Sequence, residues 1–137
     1  MSRISSVFAD RKHKALVAYV TMGYPSMEDT LDVVPRLAAS GCDIIELGIP
    51  FSDPMADGTT IQDASHAALL AGVTPSKCLE AAAQLSASDG PPLVFMTYYN
   101  PVLSFGVERF CRTTAAAGVY GLLVTDLPPD EGADVED

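Results

Sequence analysis

The stretch Cys42-Asp-Ile-Ile-Glu-Leu-Gly-Ile-Pro-Phe-Ser-Asp-Pro-Met-Ala-Asp-Gly58 changes character half-way along. Its first half reads as a buried strand, expected over 43–47, that delivers a carboxylate at Glu46. Its second half is a Gly/Pro-rich loop carrying Asp53 and Asp57. A lone glutamate with apolar residues on both sides is not part of a solvated charged face. Taking an ionised carboxylate out of water is costly, so such a group is paired, protonated or functional. A structural ion pair and a working acid or base both satisfy that rule.

Moving outward, similar apolar runs recur at Ala15–Val20, Leu93–Thr97 and Gly121–Thr125, each suited to a strand covered on both faces. Helical patterns fill the gaps. Residues 2–12 place Ile4, Val7 and Phe8 on one face. Ser26 and Asp29 resemble an N-cap and acidic first turn for a helix over 27–39, which buries Leu31, Val34, Leu37 and Ala38 and stops at Gly41. Pro35 should kink that helix or lie on its exposed side. Further helices are expected over 59–70, from Pro75 to about Ser86 with proline at the first position, and over 106–117. Tyr98–Pro101 reads as a polar-aromatic link, and Asp130–Asp137 as the start of another helix.

The resulting order, α-β-α-β-α-α-β-α-β, specifies a parallel sheet with right-handed crossovers. Ala39-Ser-Gly41-Cys-Asp-Ile-Ile and Ala117-Gly118-Val-Tyr-Gly-Leu-Leu form a weak internal repeat of helix stop and strand. No strand is followed by Gly-x-Gly-x-x-Gly and no Walker A motif occurs, which argues against dinucleotide and P-loop folds. Four such strands leave two open edges, whereas a (β/α)₈ barrel takes about 250 residues. The 137 residues therefore read as the N-terminal half of something longer.

Composition narrows the function. Hydrophobic residues make up 48% and charged ones 19%, as in a soluble globular chain. No apolar run approaches the roughly 20 residues of a membrane helix and no signal peptide is evident, so the cytoplasm is the expected compartment. A net charge of −10 disfavours nucleic acid and anionic membrane as partners. Cys42, Cys78 and Cys111 are widely spaced and read as small buried hydrophobes rather than as a zinc site or disulfide framework.

In a parallel barrel the loops after the strands carry function. Here they hold Tyr19 and Thr21, then Glu46 through Asp57, then Tyr98, Tyr99 and Asn100, then Thr125 and Asp126. Carboxylates and phenols without cysteine or histidine favour proton transfer over covalent catalysis. Glu46 in apolar surroundings should have a raised pKa, and Asp57 on a looser segment should stay ionised and stabilise positive charge. A metal set of Glu46, Asp53, Asp57, Asp63 and His66 competes, although its spacing follows no known ligand pattern. His66 reads as a helix-surface residue and His13 as solvated. Tyr98 and Tyr99 alternate sides, so one of them suffices to face a pocket.

Glu46–Gly58, followed by Thr60-Ile-Gln62, resembles the signature of the tryptophan synthase α subunit family. Tyr19-Val-Thr-Met-Gly23, Ala71-Gly-Val-Thr74, Met96-Thr-Tyr-Tyr-Asn-Pro101 and Val124-Thr-Asp-Leu-Pro128 fall where that family has its other blocks. The resemblance implies a TIM barrel with an extra N-terminal helix, of which this chain supplies that helix and four strands. It implies cofactor-free retro-aldol cleavage of indole-3-glycerol phosphate to indole and glyceraldehyde 3-phosphate. Glu46 would be the general acid/base and Asp57 would stabilise charge on the indole nitrogen. Tyr19, Met96 and Tyr98 would line the indole pocket. Asp53 and Pro54 would belong to the surface docking on a β subunit, in an α2β2 complex, that receives the indole at pyridoxal phosphate. The family's phosphate site and lid lie in later loops, so this stretch alone is expected to lack useful activity. Two other readings remain: a different TIM-barrel enzyme of phosphorylated metabolites, and a non-catalytic half-barrel interaction module.

Overall fold

A computed structural model describes residues 2–9, 12, 14–132 and 135. Four strands, β1 (Val17–Thr21), β2 (Ile44–Gly48), β3 (Leu93–Thr97) and β4 (Gly121–Val124), pair in parallel in the order β1-β2-β3-β4. Strand neighbours in sequence are neighbours in space, as a singly wound α/β sheet requires. The helices are α1 (Arg3–Val7), α2 (Met27–Ala39), α3 (Thr59–Leu70), α4 (Pro75–Ser86), α5 (Tyr99–Phe105) and α6 (Val107–Ala116), with a 3₁₀ turn at Pro129–Glu131.

Helix boundaries follow the capping chemistry. The Ser26 hydroxyl accepts the Asp29 N–H at 3.0 Å, and the Thr74 hydroxyl accepts the Lys77 N–H ahead of Pro75. Gly41, just past the end of α2, has φ +96°, a conformation that other residues rarely adopt. Pro35 lies on the exposed side of α2. Thr30 joins the core although it is polar. It is fully buried, and its hydroxyl accepts the Gly23 N–H at 2.9 Å, tying α2 to the turn after β1.

One face of the sheet carries the core. Ile45, Leu47 and Phe95 are fully buried, with Ala68 of α3, Cys78 and Ala82 of α4 and Phe110 of α6 in the same cluster. Phe110 meets Phe95 at 6.4 Å between ring centres and Phe105 edge-on at 5.6 Å. Alanines on α3 and α4 let those helices approach the sheet closely, and large residues come from the strands and from α6.

The opposite face is only partly covered, which corrects the expectation of strands buried on both sides. Val17 and Leu123 are 42% and 45% exposed, and Val94 and Met96 are half-buried. Helix α1 covers the lower end of this face. A Cβ placed on Gly121 would lie 3.1 Å from Ile4 Cδ1. Arg3 donates to the Gly90 carbonyl and stacks 5.2 Å above the Tyr120 ring.

Several element expectations change. Helix α1 ends at Val7, with Phe8 exposed, and residues 10, 11 and 13 lie outside the described set, His13 included. Strand β1 begins two residues late, with Leu16 exposed. Tyr98–Pro101 is not a link: α5 begins at Tyr99. Pro101 sits in its first turn, where no intrahelical N–H is required. Cys111 is half-buried, whereas Cys42 and Cys78 are buried; all three are free thiols. The expected helix after Asp130 falls mainly on residues 133, 134, 136 and 137, outside the described set.

Leu47 shows what the covered face contributes, because it flanks Glu46 but points the other way. Replacing it by alanine should lower unfolding free energy by about 2–5 kcal/mol, read from the urea midpoint at unchanged slope.

Candidate functional site

Parallel register places the site. Tyr19 pairs with Glu46, Glu46 with Val94 and Val94 with Gly121, so these four form one cross-sheet row. The next row on the same face is Thr21, Gly48, Met96 and Leu123. Both rows lie on the less covered face, above the floor made by α1. Glu46 is half-buried, between Tyr19 and Val94.

Gly48 is what lets Tyr19 lie across this face. A Cβ there would sit 2.0 Å from the phenol oxygen and 2.5 Å from Cζ. The ring therefore occupies the volume that any side chain at 48 would claim. Thr21 donates its hydroxyl to the Tyr19 oxygen at 3.4 Å, a long contact. Burial pushes the Tyr19 phenol above its ordinary pKa, the Thr21 contact opposes that, and the negative charges of Asp57 and Glu46 add to it.

The loop after β2 is folded on itself before it reaches α3. Asp57 donates its N–H to the Pro54 carbonyl at 3.1 Å. Gln62, in the first turn of α3, donates its side-chain amide to the carbonyls of Pro54 and Asp57 at 3.2 and 3.0 Å. Tyr98 closes the loop from the other side. Its phenol is buried, packs on Phe51 at 5.3 Å between ring centres, and accepts the Ala56 N–H at 2.9 Å. Burial is the main cause of its raised pKa; the Ala56 bond lowers it, and the charge of Asp57 and a hydrogen bond to that carboxylate raise it. Tyr99, its neighbour, serves α5 instead and donates its N–H to Asp126 Oδ1 at 2.7 Å.

The structure thus brings Tyr19, Glu46, Asp57, Met96 and Tyr98 to one side of the sheet at its C-terminal end. Asp53 and Pro54 lie farther out. Asp53 is exposed and accepts the Ser52 hydroxyl at 2.7 Å, and Pro54 is half-buried. Met55 beside them is 90% exposed. Asp63 and His66 are exposed on α3, and the described residues contain no cluster of three or more His, Cys, Asp or Glu side chains that could hold a metal ion. Sequence reasoning missed Leu123, Gly48 and Gln62 as site residues. Leu123 was hidden in an apolar run, and only its pairing with Met96 puts it on the site face.

A sequence profile of the tryptophan synthase alpha chain matches residues 6–137. The chain belongs to the tryptophan synthase alpha chain family. It is 55% identical over 136 residues to the alpha chain of Dehalococcoides mccartyi and 51% identical over 137 to that of Geobacter sulfurreducens. These alignments cover 99% and 98% of this chain and 52% of each relative, so the chain spans about half the length of the curated relatives it matches. Among solved structures, tryptophan synthase subunit alpha from Legionella pneumophila superposes with TM-score 0.94 at 37% identity, over 98% of this chain and 53% of that one. An open form of tryptophan synthase from M. tuberculosis superposes with TM-score 0.92 at 43% identity, over 98% of this chain and 55% of that one. The four-stranded sheet is accordingly half of the TIM barrel of tryptophan synthase alpha chains.

Two measurements probe this geometry. Gly48→Ala should displace the Tyr19 ring, destabilise the fold by about 1–3 kcal/mol, and bring the Tyr19 phenol down toward the ordinary tyrosine pKa in a ¹³C NMR titration. Separately, two phenols with raised pKa values hold their protons in the folded state after the unfolded chain has lost them. Stability from this source is complete below a pH of about 10 and declines as the pH rises through the folded values. The double variant Tyr19→Phe/Tyr98→Phe should show a shallower decline in urea midpoint over that range.

Proposed function

We propose that residues 1–137 are the N-terminal half of one (β/α)₈ domain that cleaves indole-3-glycerol phosphate to indole and glyceraldehyde 3-phosphate in tryptophan biosynthesis. The observation that carries this reading is the meeting of two carboxylates, Glu46 and Asp57, with Tyr19, Met96 and Tyr98 on one face of the sheet. The substrate's aromatic ring is flat and apolar and has one polar edge. Met96, Leu123 and the Tyr19 ring supply apolar surface, and a carboxylate suits the N–H edge.

The reaction is a lyase step that requires two proton movements. Carbon C3 of the indole gains a proton, which leaves positive charge on the ring nitrogen. The hydroxyl on the adjacent side-chain carbon then loses its proton, the carbon–carbon bond breaks, and its electron pair returns to the ring as the aldehyde leaves. Glu46 is placed by a rigid strand and serves as the acid/base. Asp57 sits on a loop held by Tyr98 and Gln62 and faces the charge that develops on nitrogen. Neither step needs a cofactor.

Asp53, Pro54 and the exposed Met55 form a projecting edge beside the site. A methionine standing in water is an adaptable apolar contact, and this edge is the proposed docking surface for a tryptophan synthase β subunit that accepts the indole in an α2β2 complex. The proposed compartment is the cytoplasm. No helix among the described residues is long and apolar enough to cross a membrane.

In the whole protein, Glu46→Gln should reduce indole release from indole-3-glycerol phosphate by about 10²- to 10⁴-fold, and Asp57→Asn by about 10²-fold, with the fold intact by circular dichroism. Near-parental turnover in Glu46→Gln would remove it from the acid/base role. The 137 residues alone leave the reacting face open to water and should turn over far more slowly than a closed barrel.

A further inference from the structure

We propose that Asp126 is a positioning residue for Asp57, acting from the turn after β4 through the start of α5 and the Tyr98 phenol. Helix α5 has no cap from its own N-cap side chain. The Asp126 carboxylate, 27 residues farther along the chain, takes that place by accepting the Tyr99 N–H at 2.7 Å. A carboxylate at a helix N-terminus forms a charge-assisted bond and meets the positive end of the helix dipole.

The same turn holds the residue before Tyr98. Thr125 donates its N–H to the Thr97 carbonyl at 3.1 Å and directs its hydroxyl to that oxygen at 3.4 Å. Tyr98 is therefore braced on both sides by residues from the next βα unit. Its buried ring then reaches 42 residues back in the chain to accept the Ala56 N–H at 2.9 Å, one position before Asp57. Gln62 of the adjoining helix also ties Asp57's segment, through the Pro54 and Asp57 carbonyls, and Tyr98 connects that segment to β3.

Three consecutive loops are thus joined in series: Asp126 fixes Tyr99, Tyr99 fixes Tyr98, and Tyr98 fixes Ala56 and Asp57. Asp126 is exposed at the rim and does not share the row of Glu46. Its part is to set where Tyr98 stands and hence where the Asp57 carboxylate points. The proposal rests on the role assigned to Asp57 above.

The test uses protein labelled with ¹³Cζ-tyrosine, with the Tyr98 signal assigned by its loss in Tyr98→Phe. In Asp126→Ala the Tyr98 titration should fall toward the ordinary tyrosine range and the Ala56 amide should exchange faster. Asp126→Asn keeps an oxygen for the Tyr99 N–H and should restore both. In the whole protein, kcat for indole release should drop by about tenfold in Asp126→Ala, with KM changing less. Unchanged Tyr98 and Ala56 signals in folded Asp126→Ala, or altered signals with parental kcat, overturn the proposal. If Asp126→Ala does not fold, Tyr99→Pro removes the same bond from the donor side. Proline suits the first helical position, and Tyr98 at φ −99°, ψ 161° already has the extended backbone that a following proline demands. The same shifts are expected there, and their absence is equally decisive. Inactivity of the unsubstituted whole protein overturns the assigned reaction instead, while the Tyr98 and Ala56 signals still decide the positioning.

Discussion

The register of β2 between β1 and β3 is the constraint on which everything else depends. Side chains in a strand alternate faces, so a slip of one residue would exchange Leu47 for Glu46 on the helix-packed side. The centre of that side is fully buried, and an ionised carboxylate placed among Ile45, Phe95 and Ala82 would have to be neutralised or paired. The apolar face thus rejects the alternative register, and in doing so it fixes Glu46 on the open side beside Tyr19. Core packing and the placement of Glu46 are one and the same specification.

A second constraint follows from the first. With Tyr19 and Glu46 in one row, the phenol has to lie over the next row, and only glycine at 48 leaves room for it. This part of the less covered face is therefore built from a missing side chain on β2 and a large one on β1. Such pairing is invisible to any reading of one strand at a time.

The loops above the sheet are less regular but well tied. Asp57 has its backbone carbonyl held by Gln62 and its own N–H spent on Pro54, while Tyr98 holds the neighbouring Ala56 N–H. Tyr98 bridges β3 to the loop after β2, and Asp126 bridges the turn after β4 to α5. Loops that share hydrogen bonds in this way hold a carboxylate more firmly than a solvated Gly-flanked segment suggests. In the proposed reaction that firmness would serve Asp57, since little reorganisation would be left for the moment at which charge develops.

The sequence by itself determined the element types, helix α5 excepted, and the direction of the sheet. Hydrophobic runs of five residues between capped helices leave little choice, and Ser26, Gly41, Thr74 and Pro75 each act within one turn of their own position. It also singled out Glu46 and Asp57, since a carboxylate in an apolar run and another in a Gly/Pro loop are local oddities. Only the tertiary structure decided which residues meet. Helix α5 was hidden because its cap, Asp126, lies 27 residues away, and Leu123 was hidden because an apolar run does not say which of its members face the site. The exposure of the less covered face was also beyond reach: apolar strand residues look the same whether a second layer covers them or not. Local chemistry acts over a few residues and can be read from order alone, whereas facing, covering and bracing depend on segments that approach only when the chain is folded.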